Sequence, residues 1–180
     1  MTYRLFSGLK FTVLIFIIFH VNVHAAEIHG TFFRNTLTFG NTTLKLTGTG
    51  LLRYWGFKVY VGAFYLEQGC SIEEALLDSA KRIEIEYLRP VRGEDFGSAT
   101  YEVIARNVDL ETVNQLRPLI DFHNSLYEDV QPGDRYSLTY ISGKSTELAL
   151  NGEPKGIIAG SDFASAIFSM WLGPDPISES

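Results

Sequence analysis

The sequence predicts an α+β domain behind a cleavable leader, with strands first, helices in the middle, and a hairpin and one helix last. Three features carry that prediction. Phe57 to Glu67 is apolar on both of its alternating faces, the mark of a strand covered above and below. The period then changes from two at Lys81–Leu88 to helical spacing at Phe96, Thr100, Val103 and Ile104. Finally, Asn151-Gly152 gives a hairpin signal just before an apolar helical run that ends in Gly173 and Pro174.

The elements follow in chain order. Arg4 and Lys10 form a basic n-region, Phe11 to Phe19 is apolar apart from Thr12, and Val23-His24-Ala25 suits cleavage after Ala25. The apolar stretch is too short to span a bilayer comfortably, and no second one follows. The expectation is a signal peptide over residues 1–25, a single domain over 26–180, and a periplasmic or secreted product without a stable membrane span. The intact chain carries a net charge of −6. Cleavage takes away two bases and no acid, leaving −8, which disfavours nucleic acid or an anionic membrane surface as the main partner.

Glu27 to Leu46 alternates short apolar runs with Thr, Asn and Gly, including the Phe39-Gly40-Asn41 turn, and reads as short strands. A Tyr54-Trp55-Gly56 turn leads into the long strand, on which Lys58, Tyr60, Gly62, Phe64 and Leu66 share one face. Ser71 and Glu74 have capping-box spacing before a short helix. From Lys81 to Leu88, Ile83, Ile85 and Tyr87 point inward, while Arg82, Glu84 and Glu86 form a wet face.

Glu94 and Asp95 open a helix that runs to Asn107. Asp109 caps a second, holding Val113 and Leu116, which Pro118 is expected to interrupt before a further helical piece from Ile120 to Tyr127. Arg135 to Ile141 and Thr146 to Leu150 return to strand, and Asp162 is expected to cap the last helix along Phe163, Ala166, Ile167 and Met170.

Candidate chemistry centres on Arg53. A guanidinium at the edge of an apolar strand pair needs a carboxylate, supplied either by the chain or by a ligand. Other sites are weaker. His29 and His123 lack a second ligand at metal spacing, so neither a metal nor another cofactor is expected. No Gly-x-Ser-x-Gly elbow occurs. Cys70, the single cysteine, has no intramolecular disulfide partner. Trp55 and Trp171 read as core or edge packing, and Arg89 as a surface or cleft-mouth charge.

Gly-Leu-Leu-Arg at 50–53, Phe-Lys-Val-Tyr-Val-Gly-Ala-Phe-Tyr-Leu at 57–66, Gly-Asp-Arg at 133–135, Asn-Gly at 151–152 and the run from Asp162 to Gly173 together resemble the bacterial chalcone isomerase-like proteins. The resemblance implies an open-faced β-sandwich, a large antiparallel sheet covered on one face by helices, with a ligand cleft between the layers. Plant chalcone isomerases of this fold use an arginine to hold oxyanion charge, and Arg53 matches it. Tyr60 stands where those enzymes carry a threonine, Thr100 where they carry a tyrosine, Asn107 where they carry an asparagine, and Met170 where they carry a hydroxyl residue.

Non-catalytic relatives of the same fold hold a fatty-acid carboxylate with an arginine and a tyrosine, and Arg53 and Tyr60 match both. The expected function is therefore non-catalytic binding of a fatty acid or similar amphipathic carboxylate, with Arg53, Tyr60, Thr100, Asn107 and Met170 as the ligand-binding set. The alternatives are an isomerase of the intramolecular-lyase type acting on a phenolic or enone substrate through Arg53, Tyr60 and Asn107, and a structural or partner-binding envelope protein. Relatives tend to continue past Trp-Leu-Gly with a short helical tail, and this sequence ends at Ser180.

Overall fold

Seven antiparallel strands, consecutive in sequence and adjacent in space, form the sheet on which the rest of the protein is built. The computed structural model describes residues 25–177. The leader expected over residues 1–25 therefore lies outside the described residues, except for Ala25. The sheet strands are β3 (Thr36–Phe39), β4 (Thr42–Tyr54), β5 (Phe57–Glu67), β6 (Lys81–Tyr87), β7 (Arg135–Ile141), β8 (Ser145–Leu150) and β9 (Glu153–Ala159). A separate hairpin of β1 (Ala25–Ile28) and β2 (Thr31–Arg34) precedes them. Among the described residues, three α-helices accompany the strands: α1 (Gly93–Asn107), α2 (Leu110–Ser125) and α3 (Ser161–Leu172).

Both faces of β5 are covered, as its apolar pattern requires. Tyr60, Phe64 and Leu66 join Ile83, Ile85, Leu138 and Leu148 against Ile104, Ile120, Phe163 and Ile167 of the helical layer. Val61, Ala63 and Tyr65 pack on the other side with Phe33 of the small hairpin and Leu44. Asn151 and Gly152 adopt φ of 53° and 84°, the two left-handed positions of the tight β8–β9 turn. Asp109 caps α2, accepting from the Thr112 amide at 2.9 Å. Ser71 and Glu74 form the expected box around a single 3-10 turn, Ile72–Glu74.

Four expectations change. Pro118 does not interrupt α2, which runs unbroken with Pro118 on its exposed side. The apolar row of Val113, Leu116 and Ile120 is buried and holds the helix together across the proline. Asp162 is not the cap of α3: Gly160 is, at φ 105°, and Asp162 falls in the first turn, where the dipole favours it.

The outer face of β6 is not wet. The β1–β2 hairpin covers it, and Glu84 is buried within an ionic cluster, accepting from Arg82 Nε at 2.9 Å and from Arg135 Nη1 at 3.3 Å. Finally, Trp55 is not a core or edge residue; it is 84% exposed.

Candidate functional site

Glycines hollow the sheet where β4 meets β5. Gly50 and Gly62 are directly paired across the two strands, and a side chain at Gly48 or Gly50 would meet nothing within 4 Å. With no side chains to fill that floor, an outer groove of about 1010 Å3 opens between β4–β5 and the segment that follows α3. Leu51, Arg53, Phe64, Trp171, Leu172 and Asp175 stand around it. A smaller inner cavity of about 150 Å3 lies between the sheet and the helical layer, bordered by Val59, Tyr87, Phe96, Thr100, Tyr136 and Met170 among others. The groove falls within the size of ligand pockets, whereas the inner cavity alone is too small for most of them.

The two spaces share a wall. Tyr60 and Trp171 border both, and the Trp171 indole Nε1 donates to the Tyr60 hydroxyl at 3.1 Å. Burial pushes the Tyr60 phenol up to about 12, so it stays protonated at physiological pH and keeps its own proton to donate. Behind it the inner cavity is walled by aromatic contacts: Tyr60 meets Tyr87 edge-on at 5.9 Å, Tyr87 meets Phe96 at 5.7 Å, and Phe96 stacks on Tyr127 at 4.5 Å. Burial raises the Tyr87 and Tyr127 phenols too, so this wall carries no charge.

The structure separates the five sequence-derived site residues. Arg53 and Tyr60 border the groove; Tyr60, Thr100 and Met170 border the inner cavity. The Thr100 hydroxyl donates to the Phe96 carbonyl at 2.9 Å, a local bond within α1. Asn107 lies on neither lining. Its amide donates to the Val103 and Asp175 carbonyls, both at 2.8 Å, and its oxygen accepts from the Asp175 amide at 2.8 Å. It clasps the segment that forms one bank of the groove, and Gly173 is required there because a Cβ would come within 2.3 Å of the Asn107 oxygen.

Arg53 is exposed rather than buried, and among the described residues no carboxylate lies within ion-pair distance of it. Its guanidinium is thus a solvated charge at the groove rim with all five donors available. Arg89 stacks on the Phe57 ring at 4.3 Å and borders neither space.

Gly50, Gly62, Trp171 and Asp175 were missed by reasoning from residue type. The signal for the first two was present: glycines inside strands mark a close approach or a missing side chain. Nothing local to Trp171 or Asp175 announced their place, which depends on how the end of the chain folds back. His123 is fully buried against Tyr127 and Phe163. Among the described residues there is no cluster of three or more His, Cys, Asp and Glu able to hold a metal ion, and no helix long and apolar enough to cross a membrane.

A family model described as chalcone isomerase-like matches residues 25–180. No curated protein matches the chain. Among solved structures, a fatty-acid binding protein of Arabidopsis thaliana superposes with a TM-score of 0.68 over 86% of this chain and 92% of that one, at 14% identity. At that identity the likeness establishes the fold alone.

Proposed function

The chain belongs to the chalcone isomerase-like family, which matches it from residue 25 to residue 180, and from that premise we propose that it is an exported, non-catalytic carrier or sensor of a fatty acid or similar amphipathic carboxylate. One observation carries the reading: a largely apolar groove of ligand size has on its rim the Arg53 guanidinium, which among the described residues has no carboxylate partner. The carboxylate takes a bidentate pair from Arg53, and the acyl chain lies along Phe64, Ile83 and Ile85. Tyr60 adds one neutral donor, its oxygen already polarised by the Trp171 indole. The fatty-acid-binding neighbour of the same fold supports the ligand class, and the leader-like residues 1–25 support export.

Displacement of a fluorescent fatty acid tests the reading. Palmitate binds the parent protein about tenfold more tightly than Arg53→Ala, the worth of one charge-assisted pair at a half-solvated site. Methyl palmitate, which has no charge to pair, binds both proteins equally. Equal palmitate affinity in the two proteins, or none in the parent, contradicts the assignment.

A further inference from the structure

The β4–β5 hairpin carries an aromatic tip that neither the core nor the groove uses. Tyr54, Trp55 and Phe57 are 68%, 84% and 56% exposed, and the Tyr54 and Trp55 rings lie 6.3 Å apart. The tip projects from the sheet by register: β3 pairs with β4 no further along than Lys45, and β6 reaches β5 only as far as Tyr60. Beyond that point the hairpin stands on its own Arg53–Lys58 and Tyr54–Phe57 pairs, with one further bond from the Leu88 amide to the Val59 carbonyl.

Backbone conformation marks the same place. Trp55 sits at φ 51° and Gly56 at φ 80°, the two left-handed positions of a tight hairpin turn. Asn or Gly occupies the first of these at little cost, whereas a bulky residue there is strained. Here a tryptophan accepts the strain and buries nothing in return. An outlier of that kind points to a use outside the fold.

Charge gives the third observation. The net charge, −6 for the intact chain and −8 without residues 1–25, disfavours an anionic surface as a partner of the molecule as a whole, yet locally residues 52–59 and 88–91 hold Arg53, Lys58 and Arg89 and no acid. Arg89 lies over the Phe57 ring at 4.3 Å, and Lys58 reaches the His29 ring nitrogen at 3.1 Å from the adjacent β1–β2 turn.

We propose that this tip is a membrane-docking element, which sets Tyr54, Trp55 and Phe57 into the headgroup layer of an anionic bilayer with Lys58 and Arg89 against the phosphates. Trp and Tyr favour that layer because one end of each ring system is apolar and the other is wet. Each basic side chain near an anionic surface adds roughly a fivefold gain in binding. A narrow, convex turn fits between headgroups, whereas a protein partner of ordinary affinity requires a broad patch of about 800 Å2 on each side. Arg53, on the same hairpin, also stands at the groove rim, so docking places the groove mouth beside the lipid surface. The inference rests on the hairpin alone and stands whatever the groove holds.

Co-sedimentation of the ligand-free protein with vesicles tests it, using phosphatidylcholine alone and phosphatidylcholine mixed with phosphatidylglycerol. The parent binds the mixed vesicles, more weakly in high salt, with a blue shift of tryptophan emission. Trp55→Asn weakens that binding about tenfold or more, the loss of one aromatic anchor, and because Asn-Gly suits the turn its melting temperature stays level or rises. Lys58→Glu with Arg89→Glu removes the preference for mixed vesicles while palmitate displacement is unchanged. Failure of the parent to bind mixed vesicles, equal binding by Trp55→Asn, or tip-dependent self-association in place of vesicle binding each overturns the proposal.

Discussion

Glu84→Ala lowers the stability of the fold by about 3 kcal/mol, the low end for breaking a buried ion pair, and drops the melting temperature by about 10 °C in a chain of this size. Glu84 lies beneath the β1–β2 hairpin with its side chain 10% exposed, bridging Arg82 and Arg135. Arg135 keeps Glu86 as a second partner at 2.5 Å, but Arg82 has no other carboxylate in the cluster and is left with the Thr139 hydroxyl. The loss is therefore mostly the cost of a desolvated guanidinium without its counter-charge, not the net worth of the original pair. Replacing both partners, Arg82→Leu with Glu84→Leu, recovers a large part of the loss in a denaturant titration. A Glu84→Ala loss below about 1 kcal/mol instead assigns the cluster to the solvated class of surface pairs.

Acid destabilises the protein through His123. The ring is fully buried, neither nitrogen has a hydrogen-bond partner among the described residues, and burial pushes its pKa down to about 4. Above about pH 6.5 the imidazole is mostly neutral in both the folded and the unfolded chain and adds no pH dependence. As pH falls below that value the unfolded chain takes up the proton first, so stability declines across the window from about 6.5 to about 4. The total is roughly 3–4 kcal/mol, since the pKa falls from 6.5 to about 4 and each unit is worth about 1.4 kcal/mol. Denaturant midpoints measured at intervals through this window show the decline in the parent and a flatter profile in His123→Phe. Asp78, Asp109 and Asp134, whose carboxyls hydrogen bonds hold below the usual range, lose their share at lower pH in both proteins, so the difference between the two profiles isolates the histidine. Identical profiles contradict it.

These two groups also mark what residue patterns conveyed and what they did not. The two-sided strand at 57–67, the Asn151-Gly152 turn and the Asp109 cap were legible because each depends on a short run of chain and one local rule. The alternation at Lys81–Leu88 was equally legible, but its polar face took its environment from β1 and β2, fifty residues earlier. Amphipathicity shows that a face is polar, not whether another element will cover it. Pro118 misled for a related reason: the local penalty is real, and tertiary packing along the buried row of α2 outweighs it.

The candidate site was partly legible in the same sense. Arg53 stood out by residue type, but its exposure follows from its place on a hairpin that outruns its neighbours. Tyr60 and Met170 could be placed on inward faces by periodicity alone. Asn107, chosen by resemblance, turned out to hold the C-terminal segment. The groove itself depends on an absence, the side chains missing at Gly48, Gly50 and Gly62, and the exposure of Trp55 follows from its place at a hairpin tip, which residue type does not convey.

The central claim is that Arg53 pairs with a ligand carboxylate, and carbon-13 NMR of palmitate labelled at C1 tests it at the atom concerned. With the parent protein, one bound carboxyl resonance is expected, titrating at lower pH than in the complex with Arg53→Ala, because a guanidinium favours the ionised acid. No bound resonance in the parent, or the same titration midpoint in both complexes, contradicts the account.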